Sequence, residues 1–457
     1  MSDLITQYYR CPESYNQPYR NVRFGSVGTY PSSGMETPGP RSADEPSTHF
    51  AARSVSEAVK QSEIEDLTSC TFPDPWQVID HLRSEKYVPD WREAPPVCAL
   101  ARMYYLARPI LPVAVRKHLQ KFYFRGWKKR SFPHWPVDFT VDALHEQLLL
   151  ASLRASGAQC IPFVWFWPEG ASSCAIMTHD VETAAGRDLC GKLMDIDDSY
   201  GIKSSFQVIP EQRYVTSPVF LDSIRSRGFE IVIHDLNHDG HLYRDRKQFL
   251  ERAAKINAYG KLYGAQGFRA GSLYRKQVWY DALDFAYDMS VPNVAHLDPQ
   301  RGGCCTVMPY FIGKILELPV TMSQDYTLFN VLNDISINLW KQQTELIMLK
   351  HGLISFIAHP DYLASMRRRS IYEELLEYMV RLRDERNIWI ATPGEVNCWW
   401  RQRAEMTLVE EGENWRIEGP GNERARIAYA SEDQGRLVLN LERQPPKELS
   451  YCNIDRS

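Results

Sequence analysis

Cys174–Glu182 reads CAIMTHDVE, a short apolar run that stops abruptly at Thr178, His179, Asp180, Val181 and Glu182. Residues two apart at a strand end project to the same face, so Asp180 and Glu182 point together. Two acids placed this way can divide the work. One ligates a metal while the other stays free as a base. A second apolar run, Glu230–His241 (EIVIHDLNHDGH), also ends in histidines. The i, i+4 spacing of His234 and His238 lets two imidazoles reach one metal from one turn of chain. Asp235, Asp239 and His241 stand nearby as partners for the ring N–H groups. The chain has no HExxH, which disfavours a zincin protease. Arg269, in GFRAGS, ends the next strand, where a guanidinium can clamp a carboxylate. Gly267 and Gly271 beside it permit close backbone approach. His359 ends ISFIAHPDY and suits proton transfer near neutral pH. Singly, each has a plainer reading: a solvated acidic loop, satisfied histidines, a rim salt bridge. Their shared place at the C-terminal ends of strands, where barrel enzymes put their chemistry, favours one site.

The elements that would position these residues begin at about 172. Short apolar runs alternate with amphipathic stretches. Strands are expected at Ala175–Thr178, Ser204–Ile209, Glu230–Ile233, Gln266–Arg269, Ile315–Val320, Leu353–Ala358 and Ile388–Ala391. Between them, helices are expected at Asp188–Tyr200, Pro218–Arg227, Lys247–Tyr263, Gln277–Ala286, Asn333–His351, Tyr372–Arg386 and Pro393–Arg403. Strict alternation implies βα units and a parallel sheet, here a closed or distorted barrel. No GxGxxG or Walker loop follows a strand, which argues against a nucleotide fold.

The flanks differ from this. Between Pro31 and Ser47, ten of seventeen residues are Pro, Ser or Gly, so residues 1–62 read as a disordered tail. Residues 63–171 read as a helical N-terminal extension, with Phe132–Pro136 a rigid turn and Ile161–Pro168 an apolar approach to the main domain. Arg125, Lys128, Lys129 and Arg130 form a basic knot, read as a solvated face. The main domain spans 172–404. A small antiparallel β appendage at 405–445 follows, with strands expected at Met406–Val409, Trp415–Glu418, Ala425–Ala430 and Arg436–Leu441, and then a tail at 446–457. A net charge of −4 suggests neither a nucleic-acid nor a membrane-surface partner. No apolar run is long enough for a membrane span. The first residues lack a basic, then apolar, export pattern, and the ten cysteines contain no CxxC. The expectation is a cytoplasmic protein with reduced thiols.

With these pieces in order, residues 172–400 resemble the polysaccharide deacetylases (the NodB-homology domain, carbohydrate esterase family 4), in an Asp-x-Glu bacterial branch. Thr178–Glu182 stands where the family has T-F-D-D, His234–His238 where it has H-[ST]-x-x-H, and Arg269–Ser272 where it has R-x-P-x-[GY], here without the proline. Tyr287–Ser290 and Ile357–His359 match the fourth and fifth motifs, and LELPVT, SQDYTLF and Trp399-Trp400 fit the same branch. The resemblance implies a distorted (β/α)7-type barrel. It also implies a metal-dependent hydrolase that removes acetyl groups, N-acetyl and in some members O-acetyl, from a saccharide or polysaccharide through a metal-bound water. It makes Glu182, His234 and His238 the ligands of a divalent metal, Zn2+ first. Asp180 becomes the base, Arg269 its holder, His359 the general acid, and Asp288 the residue that orients His359.

Two other readings remain open at this point. One is a metal-independent amidohydrolase of the cyclic-imide or allantoin type on the same barrel. The other is a non-catalytic carbohydrate-binding protein of a polysaccharide assembly system. Retention of both histidines and both acids favours the hydrolase with a metal.

Overall fold

The computed structural model describes residues 4–15, 75–88, 113–412 and 414–441. An antiparallel strand β1 (Cys160–Val164) precedes the main sheet, whose strands are β2 (Ser173–Val181), β3 (Ser205–Val208), β4 (Glu230–His234), β5 (Gly267–Arg269), β6 (Tyr287–Asp288), β7 (Tyr310–Ile312), β8 (Ile315–Glu317), β9 (Leu353–Ala358) and β10 (Ile388–Ala391). The parallel order is β10-β2-β3-β4-β5-β6-β8, with β9 also pairing on β2 and β7 folded back antiparallel on β8. The expected α/β architecture with a distorted (β/α)7-type barrel is therefore present as a curled sheet.

The curl stays open between β8 and β9, which form no backbone ladder among the described residues. A side chain crosses that seam instead. Thr321 Oγ1 donates to Leu353 O (2.7 Å) and accepts from Ser355 N (3.0 Å).

β2 is the central strand and is buried along its whole length. Its side chains alternate faces as a strand requires. Ala175 and Met177 join the core shared with the helices, where Leu193, Phe249 and Ile256 lie. Cys174 and Ile176 join the opposite core with Trp167, Tyr287 and Trp399. Helix starts follow capping chemistry. Thr183 caps the helix Ala184–Ser199, Asp245 caps Arg246–Tyr263, and a Thr392/Glu395 capping box opens Pro393–Glu405.

Several flank expectations are corrected. Residues 4–15, read as part of a disordered tail, include a helix (Leu4–Tyr9), and Ile5, Tyr9 and the following Cys11 are buried. The cause is tertiary. Arg403 donates to Tyr8 O (3.0 Å) and Tyr9 O (3.3 Å), and Arg10 donates twice to Met406 O (3.0 and 2.9 Å). The rest of the expected tail, and residues 63–74 and 89–112 of the expected extension, lie outside the described residues. The apolar approach Ile161–Pro168 overlaps β1, which forms one sheet with β13 (Ile427–Asp433) and β14 (Arg436–Asn440), while β11 (Thr407–Glu411) and β12 (Asn414–Glu418) form a separate hairpin. The C-terminal strands thus recruit a strand from the N-terminal extension, with Cys160 opposite Ser431. Gln277–Ala286, expected as a helix, is a 3-10 stretch over Gln277–Ala282.

Two acids meet in the sheet core. Asp288 of β6 pairs in register with Glu317 of β8, and both are fully buried. Glu317 Oε1 accepts from Val291 N (2.9 Å), but Oε2 faces no donor. Burial, then the neighbouring Asp288 carboxylate, pushes the Glu317 pKa well above the ordinary value. Burial pushes the Asp288 carboxyl up as well, so two neighbouring buried acids favour a state in which one of them is protonated. A folded pKa above the unfolded one means that the folded state binds more protons, so stability falls as pH rises from the unfolded value through the folded one. Glu317→Gln keeps a donor without the titration. Its Tm is expected to gain a few degrees on the wild type as pH rises above the ordinary glutamate range. Parallel Tm curves above that range would contradict the shared proton.

Candidate metal centre and its catalytic neighbours

The site forms where β2, β4, β5 and β9 end. Asp180 and Glu182 point together as the alternation requires. His179, between Thr178 and Asp180, turns the other way to Asp197 (Nε2–Oδ2 3.1 Å). β4 delivers His234, and the turn after it brings the His238 ring beside the His234 ring, with centroids 4.9 Å apart. That turn needs left-handed backbone at Asp235 (φ 58°) and His238 (φ 53°), conformations that cost energy in non-glycine residues and gather at functional sites. The loop after β5 packs against it so closely that a Cβ at Gly271 would lie 2.7 Å from Asp235 Oδ2 and 2.9 Å from His238 Cδ2. Arg213 ties the turn down by donating to His238 O (2.7 Å) and Asn237 O (3.3 Å).

Glu182 Oε1 is the meeting point. It lies 2.9 Å from His238 Nε2, 3.8 Å from His234 Nε2 and 3.6 Å from His359 Nε2. The ligand atoms of Glu182, His234 and His238 all lie within 4.8 Å of one another. The Nε2 atoms of both ligand rings are buried and in no hydrogen-bond geometry with any group. His234 Nδ1 contacts Arg269 O at 3.2 Å, which places the ring proton there and leaves the Nε2 lone pair free. Buried orphan nitrogens facing a carboxylate fit a divalent cation. Two nitrogens and one oxygen make the donor set of an open zinc-type site.

The remaining groups surround this centre. Arg269 is fully buried and donates from Nη1 to Asp180 Oδ1 (2.6 Å) and Thr178 Oγ1 (2.8 Å), and from Nε to Met289 O (3.1 Å). Asp180 Oδ2 lies 3.7 Å from His234 Nε2. Burial raises the Asp180 pKa, but Arg269, then His234 and His359, outweigh it and hold the carboxyl below its usual value. Burial likewise works against an ionised Glu182, and His238 with the other imidazoles overcomes it, so Glu182 stays anionic. His359 Nδ1 lies 2.6 Å from Asp325 Oδ1, and His359 N donates to Asp325 Oδ2 (2.8 Å). Burial lowers the His359 pKa, but Asp325, then Glu182, raises it well above the ordinary histidine value.

The structure thus brings Asp180, Glu182, His234, His238, Arg269 and His359 together. Asp288 is corrected. The partner of His359 is Asp325, whereas Asp288 accepts from Tyr280 Oη (3.1 Å), Ser290 N (2.9 Å) and Ser290 Oγ (2.9 Å) beside Glu317. Asp288 still serves the site at one remove, because Ser290 Oγ in turn accepts from Ala270 N (2.8 Å), next to Arg269. Sequence reasoning missed Asp325 and Arg213. Asp325 had one available signal, an acid in SQDYTLF on the same rim as the other strand-end residues.

Asp325→Asn is expected to lower turnover about 10–100-fold, the usual cost of losing a partner that orients a functional histidine. Metal content should not change, since Asp325 touches no ligand atom. Steady-state rates with metal analysis check this, and an unchanged rate would remove Asp325 from the account.

No protein-family model matches the chain, and no curated protein is significantly similar to it. Solved structures do resemble it. A Mycobacterium smegmatis protein bearing the name polysaccharide deacetylase is 17% identical, with 55% of this chain and 98% of that one covered at a TM-score of 0.43. Puue allantoinase is 12% identical, covering 51% and 92% at a TM-score of 0.41. A family 4 acetyl xylan esterase from Clostridium thermocellum, solved with a cobalt ion, is 15% identical, covering 50% and 91% at a TM-score of 0.33. These are proteins that the chain is similar to at low identity, and the chemistry of its site is read from its own residues.

Proposed function

We propose that this protein is a divalent-metal-dependent hydrolase, zinc first among the metals, that removes acetyl groups from a saccharide. The observation that carries the reading is the convergence of three imidazole nitrogens within 4 Å of Glu182 Oε1, with a guanidinium-held Asp180 alongside. Glu182, His234 and His238 would hold the cation, which when bound supplies Lewis acidity toward a carbonyl and toward water. With Oδ1 fixed by Arg269, Asp180 has Oδ2 to take the proton of the attacking water. Asp325 fixes the His359 Nδ1 proton, so Nε2 is the atom that gives its proton to the departing amine or alcohol as the acetyl C–N or C–O bond breaks. Acetate and the deacetylated sugar are the products. The site shifts both groups in the direction this division needs: against burial, Arg269 holds the Asp180 carboxyl below its usual value, and Asp325 raises the His359 imidazole above its own.

Acetate release tests the reading, with N-acetylglucosamine oligomers and acetylated xylan as probes. Release that a chelator abolishes and zinc restores is the expected result. Release from neither probe would overturn it, and hydrolysis of allantoin by the stripped protein would favour the metal-independent reading.

A further inference from the structure

The overall charge of −4 conceals a local imbalance. Between Glu93 and Asp138 the chain has no acidic residue, yet these 44 residues carry nine Lys and Arg. Within this stretch the helix Val113–Tyr123 is described, followed by Phe124–Arg130. Val115, Leu119 and Phe122 fall at i, i+4 and i+7, so they share one helix face. All three are exposed among the described residues, Phe122 at 68%. Lys121 on the same helix, and Arg125, Lys128, Lys129 and Arg130 in the seven residues that follow it, are exposed as well. Four of the thirteen exposed large apolar side chains among the described residues lie between 115 and 123, and the others are scattered.

This segment is seated on the barrel rim beside the site. Phe124 is buried, and the Arg301 guanidinium lies over the Tyr123 and Phe124 rings, 4.8 and 5.2 Å from their centroids. Lys121 Nζ donates to Asn333 Oδ1 (3.0 Å), and Tyr326 Oη donates to Gln120 Oε1. Tyr326 follows Asp325 in the chain, and its ring is 6.0 Å from that of Tyr362, which is 4.9 Å from the His359 ring.

We propose that this face docks the protein on an anionic lipid bilayer, with Val115, Leu119 and Phe122 entering the interface and the basic cluster meeting lipid headgroups. A solvated basic face does not need an apolar stripe, and neither does a polyanion site. A bilayer surface rewards both together. No helix among the described residues is long and apolar enough to cross a membrane, so the contact is peripheral. Docking here would set the mouth of the site near the lipid surface. The inference does not rest on the reaction performed there.

Co-sedimentation of the full chain with phosphatidylcholine vesicles, with and without phosphatidylglycerol, tests it. The expected result is binding to the anionic vesicles only. The double variant Lys128→Glu/Lys129→Glu should weaken it by about tenfold or more, and salt should weaken it further. Phe122→Ser and, separately, Leu119→Ser should also weaken it severalfold. Leu262→Ser, at an exposed apolar position elsewhere, should not. Thermal melting confirms that each variant is folded. Absence of vesicle binding by the wild type would overturn the proposal. So would binding that both apolar variants leave intact while heparin competes, which would mark a polyanion face. A dimer that Phe122→Ser converts to monomer, without vesicle binding, would assign the stripe to a second copy.

Discussion

Arg269→Met is expected to destabilise the fold by about 3–5 kcal/mol, the cost of stripping one partner from a buried ion pair. The guanidinium is fully buried and bridges β2 to the segment after β6, through Asp180, Thr178 and Met289 O. Methionine fills much of the volume but leaves the Asp180 carboxylate buried without its counter-charge, and it leaves Met289 O without its donor. Arg269→Lys should not rescue, because a point charge cannot serve three acceptors in fixed directions. Chemical denaturation checks the prediction. A loss below about 1 kcal/mol would mean that the pair has the weight of a surface salt bridge.

Asp180→Asn is expected to cut acetate release about 10²–10⁴-fold, the range for losing a general base. The amide cannot take a proton from water at Oδ2. It also turns Arg269 into the unpaired member, so some stability goes as well. Metal content is the discriminating readout. Glu182, His234 and His238 hold the converging ligand atoms, so the variant should still bind metal. A protein that loses rate and keeps metal has lost its base. One that loses both would show that Asp180 is itself a ligand.

The site was more legible in the sequence than the fold around it. Asp180, Glu182, His234, Arg269 and His359 each stand at or just past the end of an apolar run, and parallel βα topology sends all such ends to one rim. His238 followed from the i, i+4 spacing, although a left-handed turn rather than a helix delivers it. Asp325 was legible only as an acid on the rim, not as the partner of His359. Its partner lies 34 residues away, beyond a loop and a helix, and no local spacing records that pairing. Asp288 was misassigned because its environment is set across strands, by Glu317 on β8 and Tyr280, not by anything near it in sequence. β1 gave only an apolar run, with no periodicity to separate strand from helix, and its partner strand starts more than 250 residues later. Leu4–Tyr9 is too short to show a helical period, and its burial rests on partners far away in sequence: Arg403, which donates to Tyr8 O and Tyr9 O, His145 stacked on the Tyr8 ring, and Phe163 against Tyr9.

The central claim is that Glu182, His234 and His238 form one metal site. Zinc titration of the chelator-stripped full chain, with wild type beside His234→Ala and His238→Ala, addresses it most directly. The account predicts one zinc bound per wild-type chain, loss of that binding in both histidine variants, and retention in Asp180→Asn. A wild type that binds no metal, or one whose affinity survives His238→Ala unchanged, would contradict it.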